Sequence, residues 1–162
     1  MSADDGIRIG LANAPADIAA VADLFRAYAA SLDVDLGYQG FASELAGLPG
    51  KYAPLQGGAL LLARRADGVP LGCVALRRLD GALACEMKRL YVAPEGRGSG
   101  LGRRLIMAVC DDARRLGYAE ICLDSLPSMT AAIALYRAMG FGPIMPYYDT
   151  PIAGTVFLGL RI

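Results

Sequence analysis

Apolar positions along the chain recur in two periods, and the switches between them mark out its elements. Ile7 to Ala12 reads as a short strand. Ile18, Val21, Ala22, Phe25 and Tyr28/Ala29 then fall at helical spacing, which predicts a helix from Pro15 to Ser31, with proline tolerated in its first turn. Asp33 to Gly37 is a loop, and Tyr38 to Ala46 a weaker helix closed by Gly47, Pro49 and Gly50. Leu60 to Ala63, Val69 to Leu79 and Leu83 to Val92 read as three strands. The turns Ala66-Asp67-Gly68 and Asp80-Gly81 join them into an antiparallel meander. Alternation along the third of these strands puts Glu86, Lys88, Leu90 and Val92 on one face.

After Pro94 the period changes to 3.6. Leu101, Leu105, Val109 and Leu116 share one helical face, while Arg103, Arg104, Asp111, Arg114 and Arg115 lie largely on the other. Gly117 stops this helix, and Ala119 to Leu123 is a strand reached by crossover, hence parallel to its neighbour. Ser128 is placed to cap a helix running to Met139 and closed by Gly140. Phe141 to Tyr148 and Thr155 to Ile162 are the last two strands. The sum is one α/β domain over residues 1–162: a mixed, mostly antiparallel sheet of seven strands with helices on both faces.

Composition narrows the function. The chain is 55% hydrophobic and 20% charged, and 16 basic residues balance 16 acidic ones, so charge gives no case for binding nucleic acid or a membrane. The polar first residues, Met1 to Gly6, lack the flank and apolar stretch of a signal peptide, and the expected location is cytoplasmic. Cys73, Cys85, Cys110 and Cys122 are far apart among apolar neighbours and are expected to be free buried thiols. The sequence contains no histidine, which removes the Ser-His-Asp triad, the Cys-His pair and any His-ligated metal; no metal is expected.

The segment richest in chemistry runs from Leu90 to Arg103. A strand ends, a turn with glycines at 96, 98, 100 and 102 follows, and a helix begins. Free amides and the helix dipole favour an anion there, and Arg97, Arg103 and Arg104 add positive charge, so a phosphorylated ligand is expected. Gly102 is followed by Arg103-Arg104 rather than Lys-Ser/Thr, so this is no P-loop, and the glycine spacing does not match the dinucleotide fingerprint.

These residues resemble the GCN5-related N-acetyltransferase family. Its Arg/Gln-x-x-Gly-x-Gly/Ala signature reads Arg97, Gly98, Ser99, Gly100, Leu101, Gly102. Its Leu-x-Val-x-Pro strand reads Leu90-Tyr91-Val92-Ala93-Pro94, and its later Leu-Tyr…Gly-Phe signature reads Leu135-Tyr136 with Gly140-Phe141. The resemblance implies a splayed sheet (the acyl-CoA N-acyltransferase fold) with an acetyl-CoA site in the splay. By resemblance, the backbone of 97 to 102, with Arg103 beside it, holds the pyrophosphate. Val92 bonds the pantetheine arm by its main chain, and the Leu90 amide polarises the acetyl carbonyl.

The implied activity is direct transfer of acetyl from acetyl-CoA to a primary amine, on a small molecule or a peptide. An alkyl amine has a pKa of about 10.4, so a base or a depressed pKa is required. By resemblance Tyr136 is the general acid beside the thioester sulfur; by spacing alone it reads as core, on a stripe with Met129, Ala132, Ile133 and Met139. Glu86 matches the catalytic Glu of the histone-acetylating branch, but it could instead pair with Lys88. Met129 stands where many members carry Asn, and Ser128 offers a nearby hydroxyl. Acceptor-pocket candidates are Tyr38, Glu44, Tyr52, Tyr147, Tyr148 and Asp149, with Asp33 and Asp35 as acidic groups in the first loop. Rival readings are an acyl-CoA sensor without chemistry, a donor such as succinyl-CoA, and an acyl-cysteine on Cys85 or Cys122. An exposed final strand could support a homodimer.

Overall fold

The computed structural model describes residues 6–81 and 83–162. Residues 1–5 and Ala82 lie outside this description. The strands are β1 (Arg8–Leu11), β2 (Ala59–Arg64), β3 (Pro70–Arg78), β4 (Ala84–Val92), β5 (Glu120–Ser125), β6 (Gly142–Pro143) and β7 (Val156–Arg161). The helices are α1 (Pro15–Ala30), α2 (Phe41–Ala46), α3 (Leu101–Arg115) and α4 (Thr130–Ala138). They form one seven-stranded sheet in the order β1-β2-β3-β4-β5-β7-β6. Every pairing is antiparallel except β4 with β5, which the α3 crossover makes parallel.

The helices cover both faces, as the two apolar periods require. Leu101, Leu105, Ile106 and Val109 of α3 pack with Leu61, Val74 and Ile121 on one side. Val21, Leu24 and Phe25 of α1 pack with Leu60, Leu62 and Cys73 on the other. All four cysteines are buried and free. No helix among the described residues is long and apolar enough to cross a membrane.

Two features of β4 create the site. Its pairing with β5 is confined to Ala84↔Glu120, Cys85↔Ile121 and Glu86↔Cys122, so beyond Glu86 the two strands diverge and the β5-side edge of β4 has no partner strand. In addition, β4 bulges. Ala75 pairs with Lys88 and Cys73 with Tyr91, leaving one extra residue on β4, and Arg89 takes φ +60°. The bulge overturns the simple alternation expected here. Glu86 and Lys88 pair with Arg77 and Ala75 and point to the α1 side, whereas Leu90 and Val92 pack with the α3 core.

Other boundaries moved for local reasons. The helix expected over Tyr38–Ala46 is a 3₁₀ turn, Leu36–Gln39, then a break at Gly40 with φ +69°, then α2. The strand expected over Phe141–Tyr148 shrinks to Gly142–Pro143, because Pro143 and Pro146 carry no N–H to extend a ladder. The remainder is a loop that folds back over the sheet. Ser128 does not cap α4, which starts at Thr130 after Met129 with no side-chain cap.

Candidate active site

Between β4 and α3 the backbone makes a tight double reversal. Gly96 is packed so closely that an added Cβ would stand 3.2 Å from Leu71 O and 3.2 Å from the side chains of Val92 and Leu101. Ser99 Oγ donates to Gly96 O at 2.7 Å, and Gly98 and Gly100 adopt φ +81° and +74°. A Cβ on either of those two would meet no protein atom within 4 Å, because both face open space. Among the described residues, the amides of 98–103 donate to no protein acceptor. They form a row of unused donors at the positive end of α3, the arrangement an anionic diphosphate needs. Leu101, 1% exposed, anchors the helix start beneath them.

These groups wall one side of a groove of about 650 Å³, with Leu90, Tyr91 and Val92 as its floor and Met129 with Ala131, Ala132 and Leu135 of α4 opposite. Arg97 Nε donates to Val92 O at 3.2 Å along this floor. The structure therefore brings together Leu90, Val92, Arg97, Gly98, Gly100, Leu101, Gly102 and Arg103; Ser99 shapes the turn from outside the groove lining. The open β4 edge, the free amides and the glycine clearance fit a long ligand with a diphosphate and an extended arm.

A second, smaller cavity of about 30 Å³ lies within the splay of β4 and β5. Tyr28, Leu90 and Met129 line both spaces and so mark their junction. Tyr136 lines this inner cavity. Its side chain is buried, its ring lies 5.8 Å from that of Phe141, and its hydroxyl bonds to no described protein group. Burial pushes its phenol above the ordinary range, so it keeps its proton at neutral pH.

Glu86 lines neither space. It is 1% exposed and held by Arg77 Nε at 2.6 Å and by the Tyr147 hydroxyl, which donates at 2.5 Å. Lys88 Nζ stands 3.7 Å away. Of the acceptor-pocket candidates, Tyr38 lines the cavity. Tyr148 donates to Asp124 at 2.5 Å, and Glu44 binds Arg89 at 2.8 Å and Lys51 at 3.2 Å. Tyr52 is fully buried against Phe25, and Asp35 caps the Leu36–Gln39 turn by accepting from the Gly37 amide at 2.7 Å.

Sequence reasoning missed Lys88, Arg89 and Asp124, all of which line the inner cavity. Two adjacent cations in the middle of an apolar strand were the available signal: strict alternation would have buried one of them in the α3 core. Cys85 and Cys122 offer no nucleophile, since burial pushes each thiol up to about 12.

The sheet order, splay and glycine turn define an acyl-CoA N-acyltransferase fold. A GNAT-family acetyltransferase from Staphylococcus aureus superposes with a TM-score of 0.78 at 19% identity, over 96% of this chain and 98% of that one. A Salmonella typhimurium acetyltransferase solved with its cofactor acetyl-CoA superposes with a TM-score of 0.73 at 24% identity, over 96% and 94%. The chain belongs to the acetyltransferase (GNAT) family, whose model matches residues 23–141. An uncharacterized N-acetyltransferase of Schizosaccharomyces pombe is 37% identical over 100% of this chain and 99% of its own length.

Proposed function

We propose that the protein transfers the acetyl group of acetyl-CoA directly to a primary amine in a ternary complex. The unused amides of residues 98–103, opening onto a groove that adjoins the inner cavity lined by Tyr136, carry this reading. Acetyl-CoA supplies the thioester carbonyl and the thiolate leaving group. The 97–102 backbone and Arg103 hold the diphosphate, and the open edge at Val92 takes the pantetheine amides, with Arg97 releasing the Val92 carbonyl. The Leu90 amide, at the junction of the two cavities, faces the carbonyl oxygen where negative charge develops.

The amine nitrogen bonds to the carbonyl carbon as the carbon–sulfur bond breaks. Tyr136 gives its proton to the departing sulfur and regains one from solvent. A phenol of ordinary pKa about 10, raised further by burial, drives this only when transfer is concerted with bond breaking. The amine must also shed a proton. Asp124 is the carboxylate that lines the cavity and is proposed to receive it. Glu86, enclosed by Arg77, Tyr147 and Lys88, is proposed to act on the amine only indirectly, by setting the charge around Lys88.

A thiol-release assay with acetyl-CoA across an amine library, with mass detection of the product, tests the reading. Tyr136→Phe keeps the ring packing and removes a hydroxyl with no protein partner, so it is expected to lower kcat at least about tenfold and leave acetyl-CoA affinity unchanged. Unchanged kcat would remove Tyr136 from the chemistry. Absence of thiol release with every amine, while the coenzyme still binds, would favour a sensor.

A further inference from the structure

The inner cavity is lined by one cation and one anion, Lys88 and Asp124, that the protein answers only in part. Lys88 has a side chain only 9% exposed, yet its ammonium makes no hydrogen bond to any described group. Its one charge partner, Glu86 at 3.7 Å, is already bonded by Arg77 at 2.6 Å and by Tyr147 at 2.5 Å. Arg89 beside it differs. Nε and an Nη donate to Glu44 at 2.8 and 3.3 Å, the other Nη donates to Gln39 at 2.8 Å, and its charge is thereby answered. Asp124 lies on the other strand of the splay and lines the same cavity. Its Oδ2 accepts from the Tyr148 hydroxyl at 2.5 Å and from Gln39 Nε2 at 3.5 Å, and it has no cation within 4 Å among the described residues.

We propose that the acceptor is a small amino acid, its amine met by Asp124 and its carboxylate by Lys88. This rests on the transferase reading above and names the substrate class of that same site.

A largely desolvated ammonium without protein hydrogen bonds is costly, and a bound carboxylate supplies the bonds and a countercharge that Glu86 shares with Arg77. Burial holds the Lys88 ammonium below its ordinary range, the direction expected of a cation short of solvation; a carboxylate beside it would raise it again. A polyamine or a plain alkylamine would add a second positive charge next to Lys88 and leave it unanswered.

The test compares kcat/KM for thiol release from acetyl-CoA with the twenty standard amino acids, their carboxamides and the corresponding decarboxylated amines. The wild type is expected to prefer its best amino acid over that amino acid's carboxamide by at least about tenfold. Lys88→Met is expected to collapse that preference, and Lys88→Arg to keep most of it. Glu86 retains Arg77 and Tyr147 in both variants, and matching melting temperatures check that the fold survives. Carboxamides or plain amines used as well as amino acids by the wild type would overturn the inference while leaving the transferase reading intact. So would a Lys88→Met variant in which both acceptor classes fall alike and the ratio is unchanged. Thiol release from no amine of any class would instead sink the transferase reading, and the amino acid assignment with it.

Discussion

Replacing Gly98 and Gly100 together by alanine is expected to weaken acetyl-CoA binding about a hundredfold while barely moving the melting temperature of the free protein. Both glycines sit at left-handed φ, +81° and +74°, and both face open space rather than protein. A Cβ therefore clashes with nothing, and the penalty is backbone strain of about 1–2 kcal/mol per residue. The free loop escapes that strain by relaxing to negative φ, so global stability changes little. A bound diphosphate needs the amides of 98–103 aimed at one point, and binding must then restore the strained turn. Two such penalties amount to about 2–4 kcal/mol, or roughly 30- to 1000-fold in Kd. Calorimetric titration of acetyl-CoA into both proteins reads the difference directly. An unchanged Kd would mean that the turn does not hold the coenzyme.

Glu44→Gln is expected to destabilise the fold by about 3 kcal/mol at neutral pH, with the deficit shrinking as the solution is made acid. Glu44 and Arg89 have side chains 5% and 3% exposed and are joined at 2.8 Å, with Phe41 lying under the guanidinium at 5.2 Å. Removing the carboxylate charge leaves a buried arginine uncompensated, and that is what makes breaking such a pair expensive. The pH dependence follows from the Glu44 carboxyl. Burial works to raise it, but the hydrogen bonds and charge of Arg89 and the charge of Lys51 outweigh burial and hold it below its ordinary 4.5. A carboxyl lowered in the folded state contributes stability that is fully present above the unfolded value and is lost as pH falls through the folded one. The gap between wild type and variant should therefore start to narrow as pH falls below the ordinary 4.5 and close only beneath the lowered folded value, and denaturant midpoints measured from pH 7 downward give the curve. Because Arg89 is the bulged residue of β4, the same pair fixes the strand geometry that opens the splay.

Much of the fold could be read from the chain because its strongest signals are local. Asp-Gly turns separate runs of alternating residues, and a period of 3.6 returns after the glycine turn; the meander, α3 and the parallel crossover follow from those signals alone. The coenzyme groove was legible for the same reason, since its donors are consecutive main-chain atoms between one strand and one helix. The inner cavity was not. It depends on where β5 stops pairing with β4 and on a one-residue bulge at Arg89, whose side chain bonds to the distant Glu44 and Gln39, while Tyr147 and Tyr148 of the 144–155 loop bond to Glu86 and Asp124. Glu86 illustrates the consequence. Its spacing from Val92 agreed with a catalytic role, yet the bulge turns it to the opposite face from Leu90, where Arg77 and Tyr147 enclose it. Tyr147 and Tyr148 reach the sheet from a prolyl loop whose path no periodicity encodes.

The most direct test is a crystal structure of the protein grown with coenzyme A. Diphosphate oxygens within about 2.7–3.2 Å of the backbone nitrogens of residues 98–103, with the thiol end pointing toward the Tyr136 hydroxyl, are the expected result. A coenzyme seated elsewhere, with those nitrogens still facing solvent, would contradict it.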